Sequence, residues 1–205
     1  MTKADKLLGQ AYDHLKISGL SDSEKYKKIE DIVAYLDGLN SKATIPPGTT
    51  GTISERLCRL GLTGIPNIQI RPFGKAWQWV GDVLLPGHPY DIAVSIKSFK
   101  AKERLIASGT GSLLTPTLGW GLFNDPDEWG FDRCNSYLYR GFLAIYMPHN
   151  LLMQLDPDQR GIQNFNGTKL LRDLQQFPSD VQSAMNPKNG HRIDMRKIWV
   201  YGFNG

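Results

Sequence analysis

The chain is poor in cysteine, with only Cys58 and Cys134 among its 205 residues. The pair fits a reducing compartment, and neither sits in a C-x-x-C motif, which argues against a zinc site or a thiol redox centre. Long apolar runs are also missing. None approaches the roughly 20 residues that span a bilayer. The opening stretch, MTKADKLLGQAYDHLK, is polar and periodic and lacks the apolar region of a secretory signal. These absences lead to the expectation of a cytoplasmic protein with no membrane partner. Histidine is scarce and scattered: His14, His88, His149 and His191 form neither a His-Asn-His nuclease pattern nor an H-E-x-x-H zinc helix. The glycine-rich GTGS (109–112) has no Gly-Lys-Ser/Thr after it, so it is not a P-loop. No internal repeat or low-complexity segment is present.

What remains is an ordinary globular composition, 40% hydrophobic, in a length suited to one domain. The net charge of +4 is a mild basic bias, compatible with an anionic partner.

Two helices are expected in residues 1–38. Leu7, Leu8, Tyr12 and Leu15 give the first an apolar stripe, and Ser21-Asp22-Ser23 offers caps for a second with Tyr26, Ile29, Ile32, Val33 and Leu36 inward. SKATIPPGTTG (41–51) reads as a loop. A third helix is expected over residues 52–60. The period then changes. NIQIRPF (67–73), AWQWVGDVLL (76–85) and YDIAVSIKSF (90–99) are rich in β-branched and aromatic residues, with turn signals between them, and predict a three-strand antiparallel meander. The stretch from Lys100 to Gly121 reads as polar and glycine-rich after a short helical piece. A helix is expected within 125–139, and a buried strand at GFLAIYMP (141–148). The tail carries a weak helix near 167–177 and a last strand at RKIWVYGF (196–203). The fold class is therefore mixed α/β around one sheet. The five tryptophans read as core or loop anchors, with Trp77 and Trp79 on one strand face.

The second hairpin concentrates charge. With its turn at 86–89, Leu85 faces Tyr90 and Asp82 lies opposite Ala93, diagonal to Ser95. Strand alternation places Asp91, Ala93, Ser95 and Lys97 on one face. Asp91 and Lys97 are roughly 20 Å apart along the strand, too far to share one metal ion. The compact group is Asp82, Ser95 and Lys97. A carboxylate and a lysine so placed suit phosphodiester hydrolysis. The carboxylate would hold Mg²⁺, and the lysine would orient a water or stabilise charge developing on phosphorus. A plainer reading pairs Asp82 with Lys97 as a structural ion pair.

The pattern Asp82, twelve residues, Ser95-Ile96-Lys97 resembles the PD-(D/E)xK nuclease superfamily, and within it the type II restriction endonucleases. The order of elements over residues 52–148 is similar to that superfamily's α-β-β-β-α-β core. Gly81 stands where the motif's name has proline, and Ser95 where it has an acid. Members carrying Ser-x-Lys take their second carboxylate from elsewhere. The candidates here are Glu55 on the preceding helix, Glu103 and Asp91, with Glu55 first. Each also has a simpler role. Glu55 would complete a capping box, Thr52-Ile53-Ser54-Glu55; Asp91 would start a strand; Glu103 would sit on an exposed helix face.

The resemblance implies a restriction-endonuclease-like core, with residues 1–40 as a helical appendage, 52–148 as catalytic core and 149–205 completing the sheet, all in one nuclease domain. It implies Mg²⁺-dependent cleavage of double-stranded DNA, leaving 5′-phosphate and 3′-hydroxyl ends. Asp82, Ser95, Lys97 and Glu55 would form the catalytic group, with Asp82, Glu55 and Asp91 as metal candidates. Palindromic targets imply a homodimer, with the first helices as candidate dimer contacts. Lys100, Lys102, Arg104, Ser108, Thr110, Ser112, Asn189 and Arg192 are the candidate DNA contacts, to phosphates or base edges. Two other readings stay open: a structure-selective or repair nuclease of the same superfamily, and a non-catalytic DNA-binding module.

Overall fold

The structure is a computed structural model and describes residues 1–87, 91–99, 105 and 115–185. Four helices come first: α1 (Lys3–His14), α2 (Asp22–Tyr26), α3 (Ile29–Lys42) and α4 (Pro47–Thr63). Thr2 and Ser21 open α1 and α2 with capping boxes closed by Asp5 and Glu24. The second expected helix is thus two, broken at Lys27–Lys28. The break lets buried Tyr26 reach the Leu174 carbonyl while Ile29, Ile32 and Leu36 stay against the core. Helix α4 begins five residues before the expected start at Thr52, because Pro47 occupies its first turn, where a missing N–H costs nothing. Thr52 therefore lies inside the helix, and its hydroxyl donates to the Gly48 carbonyl at 3.0 Å.

Six strands follow: β1 (Arg71–Pro72), β2 (Val83–Leu85), β3 (Ile92–Lys97), β4 (Thr117–Gly121), β5 (Phe142–Met147) and β6 (Leu171–Asp173). They form one mixed sheet in sequence order. The first three strands are the expected antiparallel meander, and β3 to β6 run parallel. Helix α5 (Phe131–Tyr139) leads into β5, α6 (His149–Gln154) and α7 (Pro157–Gly161) lead towards β6, and α8 (Phe177–Met185) ends the described chain. Strand β6 pairs with β5 at the end of the described sheet. The weak helix expected near 167–177 is instead β6 and a 3₁₀ turn at Leu174–Gln176, and α8 starts only at Phe177. The strand expected at 196–203 lies outside the described residues.

The sheet's fourth strand is not the apolar run at 141–148, which forms β5, but β4, in a stretch that reads as loop. Its glycines have a packing reason: a side chain at Gly119 would press on Ile145 and Leu105 at about 3.2–3.3 Å. Every residue of β4 and β5 is buried, and β3 is buried up to Lys97, the pattern of parallel strands covered on both faces. One core cluster joins α1, α3, α4 and α8 to the sheet through Leu8, Ile32, Leu57, Val94, Trp120 and Val181. The other joins α5 and α6 through Tyr137, Phe142, Ile145 and Leu151. The first helices thus pack into the main core.

Candidate active site

The meander sets the register that builds the site. Val83 pairs with Val94 and Leu85 with Ile92. Asp82 is then one rung beyond, across from Ser95, and its N–H donates to the Val94 carbonyl at 2.9 Å. The expected pairing of Asp82 with Ala93 is off by two residues, because the turn takes in more of the chain than 86–89. A shift of two preserves the faces, so the grouping of Asp82 with Ser95 survives. Gly81 fits closely here: a side chain would come within 3.1 Å of the Val94 carbonyl and 3.3 Å of the Phe73 ring.

Asp82 Oδ2 accepts the Ile96 N–H at 2.6 Å and lies 3.3 Å from Lys97 Nζ. Lys97 Nζ also donates to the Ile96 carbonyl at 3.1 Å. The Lys97 side chain is only 11% exposed and that of Asp82 30%. The ammonium is thus held at the carboxyl end of β3, largely out of solvent, by a carboxylate and a carbonyl. Ser95 is fully buried beside them.

Glu55 projects from α4, which packs against β3. Its carboxyl is pushed above the usual range, first by partial dehydration and then by the negative charge of Asp82, with Arg59 and Lys97 opposing. Glu55 therefore lies within electrostatic reach of both Asp82 and Lys97. The capping role expected from Thr52 is removed by the earlier helix start. Arg59, one turn after Glu55, joins the same charge group and was not singled out from sequence; its signal is the i,i+4 spacing from Glu55. On the neighbouring face Arg56 pairs with Asp5.

Asp91 stands apart from this group. Its Oδ1 accepts the Gly87 N–H at 3.0 Å, closing the turn, at the opposite end of the hairpin from Asp82. Glu103 and the DNA-contact candidates Lys100, Lys102, Arg104, Ser108, Thr110, Ser112, Asn189 and Arg192 lie outside the described residues. So does His88.

The connection into β2 holds a further feature. Trp77 lies in a 3₁₀ turn at Lys75–Trp77 and Trp79 just beyond it, so neither is in a strand. They are 54% and 48% exposed, with ring centroids 6.1 Å apart and planes inclined by 26°. Trp120 and Trp129 are the anchors that the sequence reading expected, both fully buried. Lys75, also exposed, precedes the pair. An exposed tryptophan pair three residues before Asp82 is an apolar surface beside the candidate site.

Asp82 and Glu55 supply carboxylate oxygens as metal donors. Asp82 and Glu55 offer two carboxylates whose mutual repulsion a divalent cation would relieve. Mg²⁺ needs no more from the protein, since it keeps several waters and takes others of its ligands from substrate phosphate. Among the described residues no group of three or more His, Cys, Asp or Glu is placed to hold a metal by itself. No family model matches the chain, and no curated protein or solved structure is significantly similar to it.

Proposed function

We propose that the chain is a Mg²⁺-dependent endonuclease of the PD-(D/E)xK kind, acting on double-stranded DNA as type II restriction enzymes do. The observation that carries the reading is the convergence of Asp82, Lys97 and Glu55 where the meander meets α4. A helix, three antiparallel strands and a fourth strand parallel to the third support it, while the stretch where the core's second helix would lie, between β3 and β4, is largely outside the described residues.

In this reading Asp82 and Glu55 hold the cation. The cation, when bound, supplies positive charge to the phosphate oxygens and acidifies a water. Lys97 positions the attacking water and meets the charge that develops on the phosphate. Its ion pair with Asp82 fixes the direction of the ammonium. Buried Ser95 fills the motif's acidic position without charge, and Glu55 on α4 supplies the second carboxylate. Recognition of a palindromic site by a homodimer belongs to the same proposal.

One observation favours a second reading, a non-catalytic DNA-binding module. The Asp82–Lys97 contact at 3.3 Å is also what a structural ion pair looks like. Plasmid DNA incubated with Mg²⁺ or with EDTA, beside Lys97→Ala, separates the two. Discrete Mg²⁺-dependent fragments that vanish in the variant support the nuclease. Salt-sensitive binding without cleavage supports the module.

A further inference from the structure

A second convergence of charge lies at the far side of the sheet, at the carboxyl ends of β5 and β6. There a cavity of about 400 Å³ opens beside α6 and α7. His149, Arg160, Lys169, Asp173 and Gln176 supply its polar lining.

The histidine is fixed at two points. Its Nδ1 is 2.7 Å from Asp173 Oδ2, and its backbone N–H donates to Glu30 Oε2 at 3.0 Å. With Nδ1 engaged, Nε2 is the ring nitrogen left for another partner. The two permanent cations are unmatched. Neither Arg160 nor Lys169 takes part in an ion pair among the described residues. Arg160 Nε is shielded from water with no hydrogen-bond partner, and Nη1 meets only the Met153 thioether at 3.3 Å. Asp173 is the one carboxylate among the lining residues, and it is already engaged by His149.

We propose that this cavity binds a phosphoryl group, carried by a free nucleotide or by a nucleic-acid backbone, between Arg160, Lys169 and His149. A planar guanidinium matches two phosphate oxygens at once, the ammonium reaches a third, and the His149 ring, whose Nδ1 is turned to Asp173, borders the site. The pocket volume is in the range of small-ligand sites. The proposal does not depend on the chemistry at Asp82.

The test uses the full-length protein. Inorganic phosphate is titrated against the wild type, Arg160→Gln/Lys169→Gln and a control, Lys3→Gln/Lys6→Gln, whose cations lie on α1. Calorimetry gives the affinity, and the imidazole NMR signals, with His149 identified by His149→Gln, give the location. Circular dichroism checks that each variant is folded. The expected result is saturable binding that shifts the His149 signals and weakens at least about tenfold in the cavity variant alone. Binding that is unchanged in the cavity variant, reduced equally in both variants, or silent at His149 overturns the proposal. Adenosine 5′-monophosphate and a short DNA duplex then distinguish the sources. Tighter binding of the nucleotide than of phosphate marks a free nucleotide; displacement of phosphate by the duplex marks a backbone. Lys97→Ala separates this site from the nuclease reading, since it is expected to abolish cleavage and leave the phosphate titration intact.

Discussion

The carboxylate of Asp82 accepts the backbone N–H of Ile96 at 2.6 Å. Through this bond the side chain continues the β2–β3 ladder past its last backbone rung. The same oxygen lies 3.3 Å from Lys97 Nζ. One atom therefore serves both the sheet and the charge group, and substitutions must separate its two duties.

Asp82→Asn keeps an oxygen acceptor for the Ile96 N–H and removes the charge. Asp82→Ala removes both. The alanine variant is expected to lose about 1–3 kcal/mol of stability, the cost of an unsatisfied buried N–H, and the asparagine variant less than about 1 kcal/mol. Both are expected to abolish Mg²⁺-dependent cleavage. Denaturant unfolding beside a plasmid assay reads the two effects separately. Full cleavage by a folded Asp82→Asn would refute the catalytic assignment.

Glu55 gives a pH signature. Its folded-state pKa is raised, by dehydration and then by Asp82. Between the ordinary carboxylate range and that raised value the folded chain binds more protons than the unfolded one. Stability from this group is therefore greatest at low pH and falls as pH rises through the window. Glu55→Gln is expected to flatten that fall and to leave the protein slightly more stable at neutral pH, by less than about 1 kcal/mol because the residue is exposed and solvent screens its charge. Mg²⁺ is expected to raise the wild-type melting temperature by binding the folded state, and to have no such effect on Glu55→Gln. Melting curves across pH, with and without Mg²⁺, measure both.

Much of the sheet is legible from sequence where the strands are marked by β-branched and aromatic residues. The meander through Val83–Leu85 and Ile92–Lys97 is one case, and the apolar run that forms β5 is another. Strand β4 is hidden because Gly119 and Gly121 look like loop residues, and only the close approach of Ile145 explains the first. The start of α4 is hidden because Pro46-Pro47-Gly48 reads as a break, although proline is at home in a helix's first turn. That misplaced start made Glu55 look like a cap and concealed its relation to Arg59. The apolar stripes of the first helices are equally visible in sequence, but a stripe does not say what it covers. Here Leu8, Ile32 and Leu36 cover the chain's own sheet and helices, so removing residues 1–38 would open the core and is no clean test of a dimer. Trp77 and Trp79 have strand-like spacing, yet they stand exposed in a turn.

That tryptophan pair offers an optical probe of the proposed DNA interface. Trp120 and Trp129 are fully buried, so among the described residues Trp77 and Trp79 are the water-exposed indoles. Duplex DNA is expected to quench or blue-shift their emission, and Trp77→Ala/Trp79→Ala should remove the response with little loss of stability, since the rings are about half exposed. Stacking against bases contributes on the order of 1–3 kcal/mol per ring, so the double variant should weaken DNA binding measurably. An unaltered DNA affinity in the double variant would assign the pair to some other surface role.

The core makes its own prediction through Tyr26. Its hydroxyl accepts from Trp120 Nε1 at 3.1 Å and donates to the Leu174 carbonyl at 2.9 Å, tying α2 to β4 and to the turn after β6. All three groups are buried, and burial holds the phenol well above its usual pKa, so it stays protonated and able to donate. Tyr26→Phe keeps the ring's packing and strands one donor and one acceptor. The expected loss is about 1–3 kcal/mol. In a chain of this length that lowers the melting temperature by about 2–4 °C for each kcal/mol. Gly61 supplies a second handle on the same contact, because a side chain there would come within 2.6 Å of the Tyr26 ring. Gly61→Ala must push the ring aside and is expected to disturb the same two hydrogen bonds. If the hydroxyl and the ring position act together, the double variant will lose less than the sum of the single losses, and a double-mutant cycle by denaturant unfolding measures that coupling.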